Sequence, residues 1–126
     1  SGTHAIIVSP TRELALQIHN VLKQLSQPFP KIVSTLIMGG EKKKSEKARL
    51  RKGVTIVIAT PGRLLDHMQT TSAFIYSNTQ YLILDEADRL LDLGFEKELR
   101  QIITSIEEKS TVPRINVLAS ATLNQV

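Results

Sequence analysis

The sequence has 126 residues, a length that suits one compact domain or one segment of a larger protein. Hydrophobic residues make up 41% and charged residues 22%, which excludes a fully disordered chain. Apolar runs are too short for a membrane span, so no membrane partner is expected. The absence of cysteine excludes disulfide scaffolds and thiolate metal sites and fits an intracellular protein.

Positive charge is concentrated in one segment. The net charge is +4, yet residues 41–52 alone hold seven basic and two acidic side chains, and the other 114 residues sum to −1. Such a segment favours an acidic partner such as nucleic acid, and a solvated helix face is the alternative.

Short apolar runs alternate with stretches of helical periodicity along the chain. The predicted strands are Ala5–Val8, Ile32–Met38, Val54–Ala59, Tyr81–Leu84 and Ile115–Ala119. The predicted helices are Arg12–Leu25, 41–52, Gly62–Gln69, Glu86–Leu93 and Phe95–Ile106. The first helix places five apolar residues on one face, namely Leu14, Ile18, Val21, Leu22 and Leu25. The alternation predicts an α/β fold with βαβ units and a mainly parallel sheet covered by helices on both faces.

Two of the predicted strands end in similar sequences, Ser9-Pro10-Thr11-Arg12 and Thr60-Pro61-Gly62-Arg63. In each, a hydroxyl could cap a helix, a proline could occupy its first position, and an arginine lies near its first turn. A helix start offers free N–H groups and arginine a charged fork, so each unit is a candidate phosphate site. Plain capping, with each arginine paired to a carboxylate, is the alternative.

The Gly39-Gly40 pair closes the second predicted strand. Glycine lets a backbone approach a ligand closely, although the pair is also common in turns. Lys44-Ser45 follows, but no stretch fits the pattern G-x-x-x-x-G-K-[ST], so the chain contains no recognisable loop for nucleotide phosphates.

The fourth predicted strand delivers Asp85, Glu86 and Asp88. A carboxylate at the end of a buried strand can hold Mg²⁺ through water, and its neighbour can orient an attacking water. A helix N-terminus, which acidic residues complement, is the alternative. The three histidines show no metal-ligand spacing. Because aromatic residues are few, any contact with nucleic acid is expected at sugar and phosphate, with little base specificity.

Taken together, these segments resemble the DEAD-box ATP-dependent RNA helicases. The matching segments, in the family's order from motif Ia to motif III, are Pro10–Ala15, Gly39-Gly40, Thr60–Arg63, Asp85–Asp88 and Ser120-Ala121-Thr122. The run Glu41–Gly53 followed by Thr60–His67 also resembles a nucleolar subgroup that acts in ribosome biogenesis.

The resemblance implies a RecA-like fold of the P-loop NTPase type and, in the full-length protein, RNA unwinding driven by ATP and Mg²⁺. It implies that Asp85 holds Mg²⁺·ATP, Glu86 orients the hydrolytic water, and Asp88 bonds to Ser120 and Thr122, which couple the nucleotide site to RNA. It places the RNA backbone along Pro10, Thr11, Arg12, Gly39, Gly40, Thr60, Pro61, Gly62 and Arg63. It also implies a nuclear, nucleolar location.

Residues 1–126 are expected to form part of the family's N-terminal RecA-like domain, incomplete at its N-terminal side, with Ser1-Gly2 typical of a cloning remnant. The family's phosphate-binding loop and second RecA-like domain are absent from this sequence. The isolated segment is therefore expected to hydrolyse no ATP, and an exposed sheet edge to promote its self-association. Two other functions compete with the helicase: a passive RNA-binding module, and a metal-dependent phosphohydrolase using Asp85 and Asp88.

Overall fold

The computed structural model describes residues 2–119, which form five strands and five helices that alternate except where α4 and α5 follow one another. In chain order these are β1 (Ala5–Val8), α1 (Arg12–Ser26), β2 (Ser34–Ile37), α2 (Lys43–Lys52), β3 (Ile56–Ala59), α3 (Pro61–Thr70), β4 (Tyr81–Leu84), α4 (Ala87–Asp92), α5 (Glu96–Lys109) and β5 (Ile115–Leu118). Every predicted element is confirmed. Two strands, β1 and β4, have the predicted bounds, and the other three are shorter at their ends; Ile32–Met38, for example, contracts to Ser34–Ile37.

The strands form one parallel sheet in the order β2-β3-β1-β4-β5. In the register, Val8 of β1 lies between Ala59 of β3 and Leu84 of β4. Because every pairing is parallel, the carboxyl ends of all five strands lie along one edge of the sheet. This confirms the predicted α/β fold and brings the candidate site residues to one edge.

The main core lies on one face of the sheet. Alternate residues of the central strands point into it, and α3 packs there against α5. Its fully buried members include Ile6, Val8, Val57, Ala59, Leu64, Leu90, Ile102 and Ile106. Continuous apolar strands and the 3.6-residue spacing of α5 supply this burial, which is the dominant stabilising term.

The opposite face is covered by α1, which packs against β2 and β3. Ile58 of β3 and Ala15 of α1 are fully buried there. The apolar face predicted for α1 exists but is not buried along its length, since Val21 is 54% and Leu25 66% exposed. The second half of α1 therefore presents an apolar surface that nothing in residues 2–119 covers.

The outer edges of the two outer strands differ, because a side chain covers that of β2 and the side chains of β5 are exposed. On β2, Arg49 of α2 donates to the Thr35 hydroxyl at 2.7 Å and to the Leu36 carbonyl at 2.9 Å, and it pairs with Glu41. On β5, Ile115, Val117 and Leu118 are exposed, and within the described residues this strand pairs with β4 alone. None of the helices in residues 2–119 is long and apolar enough to cross a membrane.

Candidate functional site

The predicted site residues follow the carboxyl ends of four strands and lie along one edge of the sheet. The strand order brings the turn after β2, the start of α3 after β3 and the start of α1 after β1 next to one another. The acidic segment after β4 comes next, and the Asp85 N–H donates to the Val8 carbonyl at 2.8 Å. The edge thus joins a group of glycines, hydroxyls and arginines to a group of carboxylates.

A hydroxyl caps α1, but it belongs to Thr11 and not to the Ser9 that precedes the proline. The Thr11 hydroxyl accepts a hydrogen bond from the Leu14 N–H at 3.2 Å, which satisfies one of the free donors of the first turn. Arg12 is the first helical residue, and its Nη2 lies 3.5 Å from the Gly39 carbonyl. Pro10 precedes the cap, so the predicted place of a proline at the first helical position is wrong for this unit. Arg12 therefore reaches from the end of β1 to the turn after β2.

The glycine pair forms a turn in left-handed backbone conformation, with φ of +76° at Gly39 and +78° at Gly40. A Cβ at Gly40 would lie 1.6 Å from Arg12 Nη2, whereas a Cβ at Gly39 would meet nothing within 4 Å. Glycine is therefore favoured at both positions by the backbone conformation, and at Gly40 a Cβ would in addition displace the Arg12 guanidinium.

The start of α3 differs from the start of α1 despite the similar sequence. Pro61 occupies the first helical position as predicted, but the Thr60 side chain makes no cap hydrogen bond to any described group. The capping predicted for Thr60 is therefore wrong. Pro61 leaves one fewer free N–H in the first turn of α3, and its fixed φ already suits a helix start.

Arg63 is paired with a carboxylate rather than left free. Its Nε donates to Glu46 Oε1 at 2.5 Å and its Nη2 to the Glu41 carbonyl at 2.9 Å. The pairing considered as the alternative for these arginines is thus present at Arg63. Both arginines still converge on the Gly39–Glu41 turn, Arg12 from the start of α1 and Arg63 from the start of α3.

Sequence reasoning missed the group that organises this turn, Glu46 and His67. Glu46 lies in the basic segment predicted to face solvent or nucleic acid, and His67 belongs to none of the predicted sites, yet both side chains are fully buried. Glu46 Oε1 lies 2.8 Å from His67 Nε2, and Glu46 Oε2 accepts from the Gly39 N–H at 3.2 Å. The available signal was the four-residue spacing of Arg63 and His67, which places two potential cations on one face of α3.

Asp85 stands at the carboxyl end of β4, half-buried beside Glu86. Burial and the neighbouring Glu86 charge raise the pKa of Asp85 above its ordinary value. Carboxylate oxygens are the ligands that Mg²⁺ prefers, and a cation here would relieve this unfavourable charge. Residues 2–119 gather no set of three histidine or acidic side chains able to enclose a metal. A single carboxylate such as that of Asp85 fits an Mg²⁺ ion whose other ligands are water and nucleotide phosphates.

Glu86 is strained. Within residues 2–119 it is the one non-glycine residue in left-handed conformation, with φ 48° and ψ 57°. It precedes α4, so the predicted helix Glu86–Leu93 begins one residue later, and Arg89 Nη1 lies 3.8 Å from its Oε1. Strain of this kind persists where the surrounding structure enforces it and occurs often at functional sites.

Asp88 lies in the first turn of α4 with Oδ1 buried and without a hydrogen-bond partner in residues 2–119. The residues predicted to bond to it, Ser120 and Thr122, lie outside the described part of the chain. The predicted coupling between Asp88 and this pair therefore stays a prediction.

Comparison with known proteins identifies the family. The DEAD/DEAH box helicase family matches residues 1–126. The chain belongs to this family. It is 53% identical, over 137 aligned residues, to the ATP-dependent RNA helicase DBP7 of Gibberella zeae, covering 98% of this chain and 18% of that protein. It is 51% identical to the ATP-dependent DNA helicase DDX31 of Homo sapiens, covering 98% of this chain and 14% of that protein.

Solved structures of DEAD-box proteins share the fold. The yeast DEAD-box splicing factor Prp28 superposes with a TM-score of 0.89 at 29% identity, over 99% of this chain and 30% of that one. Mss116p bound to ssRNA and AMP-PNP gives 0.89 at 36% identity, over 98% of this chain and 26% of that one. These matches confirm the predicted RecA-like fold. The chain spans less than a third of each of these relatives.

Proposed function

We propose that the full-length protein is an RNA-dependent ATPase that unwinds RNA, in which this chain provides a surface for the RNA backbone and the carboxylates of the hydrolytic site. The observation that carries the proposal is the convergence of Arg12 and Arg63 on the Gly39–Glu41 turn, at the same edge of the sheet as Asp85 and Glu86. The relatives' names and the ssRNA in the Mss116p structure support RNA as the partner.

The RNA surface combines two helix starts with two arginines. The first turns of α1 and α3 offer unpaired N–H groups and the positive end of the helix dipole, which suit phosphate oxygens. Arg12 and Arg63 each have donors beyond those used in the contacts described, and a guanidinium binds phosphate through paired N–H groups. Pro10, Thr11, Gly39, Gly40, Thr60, Pro61 and Gly62 complete the surface.

This surface would read the backbone rather than the bases. The segments that build it contain no aromatic residue on which a base could stack. Phosphate and sugar contacts fix the register of a strand without reading its sequence. Discrimination of RNA from DNA would then rest on the 2′-hydroxyl, which is the group that differs between the two backbones.

On the nucleotide side, Asp85 would hold Mg²⁺ through water and the Glu86 carboxylate would orient the attacking water. Bound Mg²⁺ supplies charge neutralisation at the β- and γ-phosphates. The Glu86 backbone adopts the left-handed conformation, and Arg89 Nη1 lies 3.8 Å from its carboxylate, where it would help to orient it. Asp88, with Ser120 and Thr122, would link this site to the RNA surface.

Three finer points complete the proposal. Resemblance of Glu41–Gly53 and Thr60–His67 to the nucleolar subgroup supports a role in ribosome biogenesis and a nucleolar location. Residues 1–126, as part of an N-terminal RecA-like domain without a phosphate-binding loop, would hydrolyse no ATP alone. The exposed strand β5 would promote self-association of the isolated segment.

The test is binding of single-stranded RNA by the full-length protein, with Arg12→Ala and Arg63→Ala beside wild type across a salt series. Each variant should bind every RNA sequence more weakly and lower the salt slope by about 0.7 to 1, as expected for one lost phosphate contact. Lys31→Ala is the matched control, because this exposed residue precedes β2 at the opposite edge of the sheet. Unchanged slopes in both arginine variants would exclude the phosphate role.

The catalytic half is tested by RNA-stimulated ATP hydrolysis, with Glu86→Gln beside wild type. We expect hydrolysis to require RNA and to be abolished in the variant while RNA binding is retained. Single-stranded DNA of the same sequence serves as a second polymer, since one relative is named a DNA helicase. Equal stimulation by DNA would contradict an RNA-specific activity, and hydrolysis that survives in the variant would exclude Glu86 as the water-orienting residue.

A further inference from the structure

A fully buried carboxylate lies behind the RNA surface. Glu46 belongs to α2, a helix made mostly of lysine and arginine, and its side chain has no exposure to solvent. Buried acidic side chains are rare unless they are paired, because removing the charge from water costs several kcal/mol. A buried Glu46 carboxylate must therefore be compensated by the groups that contact it.

The Glu46 carboxylate receives donors from two elements of the RNA surface. Its Oε1 accepts from Arg63 Nε at 2.5 Å, and its Oε2 accepts from the Gly39 N–H at 3.2 Å. His67 Nε2 lies 2.8 Å from Oε1, and His67 Nδ1 lies 2.7 Å from the Thr71 hydroxyl. Each oxygen of the carboxylate is thus satisfied, and each ring nitrogen of the buried histidine has a partner.

These contacts restrict what the surface can offer to RNA. Because the Gly39 N–H is used by Glu46, the turn keeps its left-handed conformation and exposes Gly40 beside Arg12. Because Arg63 Nε is used by Glu46 and one Nη2 hydrogen by the Glu41 carbonyl, the guanidinium plane is fixed and the rest of its fork can face a phosphate.

We propose that Glu46 is a positioning residue for RNA binding: from a place that RNA cannot reach, its carboxylate holds Arg63 and the Gly39–Gly40 turn in the geometry that binds the phosphate backbone. This inference rests on the proposed RNA-binding function. His67, one turn after Arg63 in α3, contacts the same Oε1 of Glu46 and so helps to hold the carboxylate in place. Glu46 itself touches neither RNA nor nucleotide.

The alternative is that Glu46 merely joins α2 to α3. A second ion pair at the same helix interface allows the two roles to be separated. Lys43 Nζ lies 2.8 Å from Asp66 Oδ2, one turn along each helix, and the side-chain hydrogen bonds described for this pair involve Thr70 and not the glycine turn or Arg63. Asp66→Asn therefore removes an α2–α3 bridge without touching the RNA surface, and it is the matched control.

The experiment measures RNA-stimulated ATP hydrolysis and thermal midpoint for full-length Glu46→Gln, Glu46→Asp and Asp66→Asn. Gln keeps the length but loses the charge, and Asp keeps the charge but is one methylene too short to reach both Arg63 and Gly39. We expect both Glu46 variants to raise the RNA concentration for half-maximal stimulation by about three- to tenfold, within the range of coupled neighbouring groups. Turnover at saturating RNA should stay near wild type, and Asp66→Asn should bind RNA normally.

A double-mutant cycle tests whether Glu46 affects RNA binding through Arg63. If Glu46 acts through Arg63, Glu46→Gln should weaken RNA binding much less in an Arg63→Ala background than in wild type. Full additivity of the two effects, or normal half-saturation in both folded Glu46 variants, would overturn the inference while leaving the RNA surface in place. Normal RNA binding by Arg63→Ala would also overturn the inference, whereas normal binding by both Arg12→Ala and Arg63→Ala would contradict the proposed function itself.

Discussion

Gly39 and Gly40 allow the role of Arg12 to be tested without changing the arginine. Both glycines have nearly the same φ, so an alanine at either should destabilise the fold by a similar amount, about 1 to 2 kcal/mol for left-handed backbone. They differ in surroundings, because a Cβ at Gly40 would lie 1.6 Å from Arg12 Nη2 and one at Gly39 in open space. In Gly40→Ala the guanidinium must retreat by roughly 2 Å to regain ordinary contact distance.

Displacement of this size would break the proposed hydrogen bond between Arg12 and an RNA phosphate. A bond of this kind to a charged group contributes about 1.5 kcal/mol or more, which corresponds to a loss of affinity of about tenfold. Gly39→Ala alters the same turn but leaves the Arg12 guanidinium in place, so it should weaken RNA binding by less than Gly40→Ala does. The assay is fluorescence anisotropy with a labelled single-stranded RNA at fixed salt, alongside the thermal midpoint of each full-length variant. Equal weakening of RNA binding by the two variants would refute the argument, because it would locate the effect in the turn and not in Arg12.

Two further predictions concern stability. Burial and the Glu86 charge raise the pKa of Asp85 in the folded state, so the ionised carboxylate destabilises the fold at pH values above its ordinary pKa of 3.8. Asp85→Asn should therefore raise the thermal midpoint at pH 7. The difference from wild type should shrink as the pH falls through the raised pKa towards the ordinary value. A pH-independent difference between the melting curves would contradict this. Thr11→Ala should cost about 1 kcal/mol through the lost cap, whereas Thr60→Ala removes no cap hydrogen bond and should unfold at nearly the wild-type midpoint. Equal losses in the two threonine variants would show that the caps do not differ.

The sequence predicted the fold well because its signals are local. Continuous apolar runs such as Tyr81–Leu84 and the spacing of Leu99, Ile102 and Ile106 in α5 define their own elements. Parallel pairing then brings the strand ends to one edge, so the position of the candidate site follows from the α/β pattern.

What the sequence did not predict depends on distant neighbours. Thr11 and Thr60 look alike in sequence, yet the structure uses only the first as a side-chain cap among the described helix starts. Glu46 is buried because α3, seventeen residues further on at Arg63, brings two donors to it, and no local pattern in a basic run indicates that. The exposure of Val21 and Leu25 likewise reflects which surfaces meet, since the helical spacing of α1 is regular.

Arg49 covers the β2 edge of the sheet, whereas the β5 edge of the described chain stays open to a further strand. To add a strand beside β2, an incoming chain would have to displace a guanidinium that binds the Thr35 hydroxyl, the Leu36 carbonyl and Glu41. At β5 no comparable barrier is present in residues 2–119, and the exposed Ile115, Val117 and Leu118 would gain burial from a neighbour. Any further strand, from the same protein or from another copy, is therefore expected to extend the sheet beyond β5 and to leave the β2 side, next to the glycine turn, open to RNA.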